Sequence, residues 1–300
     1  MIFKNQFFGD KAHQALVRLV LYLRDGSARR RKMTKATVHM ARLTGAEMRE
    51  AVVRNPVILL PLGSFEDQGP HMPMGDYLLA DAVAERIALE ATQAGHETYV
   101  APVLPFGGED FFGYMPGGIA LSQTTLQAVL SDMLESLLRH GLTRLVILNG
   151  HGGNCTMIHD VTHSIMRKSG VIIPSFYLWR VAATIMPHIM GKEKAALSGG
   201  HGANPLTSIG MHLLPECIKP ERLITPASGK TAWGLKVVDF GTVDLNGVPV
   251  SIPLEGDSTA THGVGKGNPH LCSAEDGERL TAKLVEYGVQ LVEHVIKKAS

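Results

Sequence analysis

A layered α/β fold, with helices on both faces of a mainly parallel central sheet, is what this 300-residue chain predicts. Three observations carry that prediction. Short apolar runs alternate with longer segments of helical periodicity, the pattern of parallel strands joined by right-handed crossovers. The runs at 57–62 and 145–148 are continuously apolar, as strands buried on both faces are. Each then ends abruptly in a glycine-rich polar segment, and open α/β sheets place their sites outside the carboxyl ends of their strands.

The elements follow in chain order. Residues 1–35 read as an N-terminal extension to which no function is assigned, with a single α/β domain from 36 to 300 and no repeat or low-complexity linker inside it. The apolar run at 15–23 is interrupted by Arg18 and followed by Arg29, Arg30, Arg31 and Lys32. It is too short to span a membrane, and its charge lies on the wrong side for a secretory signal. Residues 44–53 form a helix with Thr44 as cap and Glu47 completing a capping box. A strand follows at 57–62, then an amphipathic helix at 77–94 stopped by Gly95, and a strand at 98–104. Residues 105–118 make a glycine and aromatic loop whose Phe106, Phe111, Phe112 and Tyr114 either wall a pocket or fill core beneath the loop. Ser122 caps a helix that ends near Gly141. A strand at 143–148, a helix at 154–168 broken by Gly170, and a strand at 171–178 complete the alternation. Asn204 followed by Pro205 is a good start for a helix reaching Leu214. Residues 218–268 are the least regular part, with a strand at 248–253. The glycines at 263, 265 and 267 lack the strand, spacing and Lys-Ser ending of a nucleotide loop. Ser273 and Asp276 cap a final amphipathic helix to about Lys297.

Composition bounds the function. With 45 % hydrophobic and 19 % charged residues the chain has ample material for one large core. A net charge of +1 and the lack of a basic, aromatic-interleaved stripe point away from nucleic acid, and no membrane partner is expected. Cys155, Cys217 and Cys272 are odd in number and widely spaced, which fits reduced thiols and a cytoplasmic protein. Cys155 stands at a helix start, where a thiolate is favoured; burial as a structural thiol is the competing reading.

The chemistry concentrates in two polar loops. Residues 63–76 carry Glu66, Asp67, Asp76, His71 and Gln68, while Gly69, Pro70, Pro73 and Gly75 keep the backbone in turns. Residues 149–154 read Asn-Gly-His-Gly-Gly-Asn, with His151 between glycines. Alone, His151 is equally a turn histidine. With the carboxylate cluster leaving a neighbouring strand end, a shared metal site gains ground.

These loops resemble the creatininase family of metal-dependent amidohydrolases. Residues 63–73 match its Gly-Ser-x-Glu-Gln-His-Gly-Pro-His-Leu-Pro, and 149–154 match its Asn-Gly-His-Gly-Gly-Asn. Weaker matches follow in order at 106–122, at 201–208 (the family's His-Ala-Gly-x-x-Glu-Thr-Ser) and at 267–280, so the resemblance covers nearly everything from about residue 51. It implies a creatininase-like fold, a divalent metal (Zn, Mn or Fe) held by Glu66, Asp76 and His151, and a homo-oligomer, often a hexamer. It also implies a substrate-facing proton donor or shuttle at His201, the alternative being a loop histidine bonded to backbone. Three departures matter. Gln68 stands where the family has a histidine ligand, Asn204 and Leu206 stand where it has glutamates, and Asp76 arrives one residue early. One metal position is therefore intact and a second impaired, unless Asp67, His71, Glu109 or Asp110 replaces the missing ligands. We expect one ion per chain, with two as the alternative.

The expected function is hydrolysis of a carbon–nitrogen bond in a cyclic or small amide by metal-activated water, with Gln68, His71 and Glu109 near the substrate and His201 assisting proton transfer. The competing classes are a relative that has lost hydrolysis and binds a small ligand or acts as an interaction subunit, and a metal-dependent isomerase or lyase.

Overall fold

The computed structural model describes residues 37–108 and 111–298. The expected extension at 1–35, its boundary included, and the positions Glu109 and Asp110 lie outside the described residues.

Four parallel strands form the central sheet: β1 (Val57–Leu62), β2 (Thr98–Val100), β3 (Leu145–Asn149) and β4 (Ser175–Tyr177), in the order β2-β1-β3-β4. All six residues of β1 and all five of β3 are buried, as continuous apolar runs require. Alternate residues of β1 face opposite sides. Val57 and Leu59 pack with Leu79, Val83 and Ile87 of α2 (Tyr77–Gln93) and with Leu280 and Leu284 of the C-terminal helix. Ile58, Leu60 and Leu62 pack on the other face with Leu126, Leu130 and Leu134 of α3 (Gln123–Arg139) and Ile158 and Val161 of α4 (Cys155–Ser169). The layered fold expected from the alternation is therefore present, with one core on each face. At the start, α1 (Gly45–Val53) has both halves of the capping box: the Glu47 amide donates to Thr44 Oγ1 at 3.2 Å and the Thr44 amide to Glu47 Oε2 at 2.8 Å.

Several boundaries differ from expectation for local reasons. Strand β2 ends at Val100 rather than 104, because Pro102 removes a ladder donor; pairing resumes only as a bridge between Leu104 and Leu62. Strand β4 is three residues long, and a helix begins at once: α5 (Leu178–Met190), then α6 (Lys192–Ser198) after Gly191. Asn204 does not cap α7 (Leu206–Leu213). Pro205 holds that position, and the Asn204 carboxamide instead donates to Ser198 Oγ at 2.9 Å. The irregular region contains a second, antiparallel sheet of β5 (Thr231–Ala232), β6 (Leu235–Asp239), β7 (Thr242–Leu245) and β8 (Val248–Ser251), in sequential order. The final helix, α8 (Ala274–Lys298), starts with the Asp276 amide donating to Ser273 Oγ at 3.2 Å.

Register fixes where the site lies. Leu62 pairs with Asn149, and Asn149 with Tyr177, so the carboxyl ends of three adjacent strands stand level. Loops leaving Leu62 and Asn149 and the start of α5 therefore emerge on one edge.

Helix α8 approaches α7 so closely that a Cβ at Gly277 would lie 1.9 Å from the Ser208 carbonyl oxygen and 2.5 Å from its carbon. That neighbour is backbone, which cannot rotate away. Gly277→Ala should destabilise the fold by about 3 kcal/mol, read as a lowered denaturation midpoint. An unchanged midpoint would mean that the two helices are not packed this tightly.

Candidate metal centre

The loop after β1 is built to bring Asp76 back beside its own start. The Ser64 amide donates to Asp76 Oδ1 at 2.7 Å, and a Cβ at Gly63 would sit 2.3 Å from the same oxygen, so only glycine leaves room. The loop after β3 is pinned as firmly. Asn149 clamps His151 at both ends of its peptide unit, its Nδ2 donating to His151 O at 2.7 Å and its Oδ1 accepting from His151 N at 3.0 Å. The two loops are then tied together. The Gly150 amide donates to Leu62 O at 2.7 Å, Asn154 Nδ2 donates to Gly63 O at 3.1 Å, and the Gly108 amide donates to Asn154 Oδ1 at 3.1 Å.

Glu66, Asp76 and His151 meet at this edge, with ligand atoms within 4.8 Å of one another. All three are buried, at 7 %, 3 % and 5 % exposure. His151 Nδ1 lies 3.2 Å from Glu66 Oε1 and 3.3 Å from Asp76 Oδ2. Glu66 Oε1 also accepts from Gln68 Nε2 at 3.0 Å and faces His201 Nε2 at 3.4 Å. His201 is fixed by its other nitrogen: Nδ1 donates to Gly263 O at 2.7 Å, which only accepts, so Nε2 is the atom presented to the centre. Its ring stacks on Phe112 at 4.6 Å and meets the edge of Phe240 at 5.4 Å.

Charge is shared unequally here. Burial alone would raise Glu66, but the facing imidazoles of His151 and His201 prevail and bring it down to about 2. Asp76 moves the other way, raised by burial with Glu66 adding repulsion, against the hydrogen bonds from His151 and the Ser64 amide. Burial opposes charge on His151 and His201, yet the carboxylates outweigh it and raise both.

This donor set fits a divalent cation. Two buried carboxylates and an imidazole converge, and two further polar atoms at the site, His151 Nε2 and Gln68 Oε1, are buried without a hydrogen-bond partner. Of the departures noted in the sequence, Gln68, Asn204 and Leu206 all line the same cavity as the three acid and imidazole groups.

The cavity encloses about 760 Å³. Phe111 and Phe112 of the aromatic loop line it, which resolves their role in favour of a pocket wall; Phe106 and Tyr114 are not among the lining residues. Sequence reasoning missed the far wall, formed by Tyr177, Trp179, Arg180, Met186 and Phe240. The available signal was positional, because Tyr177 closes a parallel strand and so belongs to the edge where sites form. Trp179 also donates its indole N–H to Gly150 O, holding α5 against the His151 loop.

His71 is a correction. Expected near the substrate, it is fully buried, does not line the cavity, and pairs through Nε2 with Thr207 Oγ1 at 3.1 Å. Its role is to join the first loop to α7. Glu109 lies outside the described residues. None of the three cysteines forms a disulfide.

A family model described as creatinine amidohydrolase matches residues 41–292. The chain belongs to the creatininase family. Membership brings an amidohydrolase-type function. Creatinine amidohydrolase of Pseudomonas putida is 27 % identical over 205 residues, covering 63 % of this chain and 76 % of that protein. The mycofactocin precursor peptide peptidase of Mycobacterium ulcerans (strain Agy99) is 27 % identical over 238 residues, covering 77 % and 82 %. Among solved structures, a creatininase in its manganese form superposes with a TM-score of 0.68 at 22 % identity over 88 % of this chain and 99 % of that one. A mutant creatininase of the Zn-Zn type gives the same TM-score at 22 % identity, covering 88 % and 98 %. Among the described residues no helix is long and apolar enough to cross a membrane.

Burial gives His71 a measurable signature. It is pushed down to about 4 from 6.5. The folded chain thus keeps it neutral while the unfolded chain protonates it near 6.5, so its contribution is complete above that pH and is lost between about 6.5 and 4. Up to about 3 kcal/mol is at stake. Denaturant unfolding at pH 6.5 and 4.5 should show a smaller acid-induced loss in His71→Asn than in wild type. Equal losses would contradict the buried neutral imidazole.

Proposed function

We propose that this protein is a metal-dependent amidohydrolase that cleaves a carbon–nitrogen bond of a cyclic or small amide with metal-activated water. The observation that carries the reading is the convergence of Glu66, Asp76 and His151 at the floor of a large cavity. Bound there, a divalent ion would lower the pKa of a coordinated water and polarise the substrate carbonyl. Zinc or manganese is supported by the forms in which solved relatives are described, and iron(II) suits the same donors. One ion per chain is favoured: Leu206 offers no ligand, and the neutral Gln68 carboxamide offers one weak oxygen and no negative charge for a second cation.

The chain's own residues supply the rest. Glu66 and Asp76 carry the negative charge that holds the ion, and Asn149 and Ser64 orient His151 and Asp76. Gln68, its Nε2 committed to Glu66, has Oε1 free to touch the ion or a substrate N–H. His201 would shuttle a proton from the attacking water to the leaving nitrogen, a role supported by its Nδ1 being tied to Gly263 and its Nε2 facing the centre. Phe112 and Phe240 keep that imidazole out of bulk water. The peptidase named among the relatives supports peptide as well as non-peptide amides as substrates. A homo-oligomer, hexameric by family resemblance, and a cytoplasmic location belong to the same reading, the latter supported by three unpaired cysteines.

A second reading rests on Gln68, Asn204 and Leu206: a relative that has lost hydrolysis and binds a small ligand. The two readings part on mutation. Glu66→Ala and His151→Ala should each lower kcat/KM on an amide substrate on the order of 10²-fold or more, and His201→Asn should lower kcat by about 10²–10⁴-fold with little change in KM. Undiminished turnover by the Glu66→Ala protein would sink the hydrolase assignment.

A further inference from the structure

The charged groups that line the cavity fall into two sets. Glu66, Asp76, His151 and His201 pair with one another, and Lys266 pairs with Asp239 at 3.1 Å. Two cations remain. Arg180 of α5 and Lys192 of α6, both solvent-exposed residues, line the cavity, and neither side chain has an ion pair or hydrogen bond among the described residues. Arg180 is nonetheless held in place, its guanidinium 5.1 Å from the centre of the Tyr177 ring, and Tyr177 closes β4 at the level of Asn149. Much of the remaining lining is apolar, with Phe111, Phe112, Trp179, Met186, Leu206 and Phe240 beside the polar Gln68, Tyr177 and Asn204. A volume of about 760 Å³ is that of a site for a drug-sized ligand, far more than a single small ring fills.

We propose that the substrate is an N-acylated apolar amino acid. Its bulky side chain packs on the apolar lining, and its free carboxylate is received by the planar donor fork of Arg180 with the point charge of Lys192 adding to the attraction. This deepens the hydrolase reading and rests on it. Water oxygen bonds to the acyl carbon, the carbon–nitrogen bond breaks, and the proton released passes to the amino acid nitrogen, giving a carboxylate and a free amino acid. A short peptide ending in an apolar residue presents the same groups, so the carboxylate-bearing amide is the recognised chemistry.

The test compares N-acetyl-phenylalanine, its carboxamide, the tripeptide Ala-Ala-Phe and 2-pyrrolidinone, by turnover and by calorimetric binding to the metal-loaded full chain. We expect kcat/KM for the acid to exceed that for its carboxamide by about 10–100-fold. That ratio should collapse in Arg180→Gln/Lys192→Gln and persist in Arg180→Lys/Lys192→Arg. Preference for the tripeptide over the acetylated acid supports the same pocket and assigns the carboxylate to a peptide end. Equal handling of acid and carboxamide overturns the proposal, as does a ratio unaltered in the double Gln variant or 2-pyrrolidinone as the preferred substrate. If no amide is cleaved, yet the acid binds more tightly than its carboxamide and loses that advantage in the double Gln variant, the carboxylate pocket stands and the hydrolase reading falls.

Discussion

Two carboxylates, Glu66 and Asp76, are buried within reach of each other at the end of a parallel sheet, and the surrounding structure is arranged to make that tolerable. An isolated ionised carboxylate taken out of water costs several kcal/mol, and a second one beside it adds repulsion. In this chain the cost is met from three directions. His151 bridges the pair, His201 and Gln68 press on Glu66, and the Ser64 amide binds Asp76. The two carboxyls shift in opposite directions: the facing imidazoles bring Glu66 down against its burial, while burial and the nearby Glu66 charge raise Asp76. A divalent cation held by these residues would favour the ionised form of both.

Position follows from register. Because Leu62, Asn149 and Tyr177 align across the sheet, one edge receives the acid loop, the histidine loop and the start of α5 together. Asparagine does the fine placement, with Asn149 holding the His151 backbone and Asn154 crossing from one loop to the next. Neither residue touches the metal position, yet each determines where a ligand stands. The apolar residues of α5 and the aromatic loop line a cavity there, in which Arg180 and Lys192 have no ion pair among the described residues.

Much of this was legible in the residues. Continuous apolar strands, the Thr44 capping box, the Ser122 and Ser273 caps and the two polar strand ends each have a local cause that the chain states directly. What was hidden depended on tertiary contact. His71 has the composition of a ligand, and only its burial against Thr207 makes it structural. Asn204 has the local signature of a cap, but its carboxamide donates to Ser198 Oγ instead. Helix α5 escaped because the apolar segment at 171–178 runs into it without a break. The small antiparallel sheet carried its own signal in Asn246-Gly247, whose positive φ angles of 53° and 84° make the tight hairpin turn, although the short strands around it alternate only weakly.

The central claim is that one divalent ion belongs to Glu66, Asp76 and His151. It is tested most directly by elemental mass spectrometry on protein purified without chelator, beside the His151→Ala protein. About one tightly held ion per wild-type chain, absent from the variant, is the predicted result. Two ions would mean that a ligand other than Gln68 completes a second position; none in either protein, even after incubation with zinc, manganese and iron(II), would contradict the account.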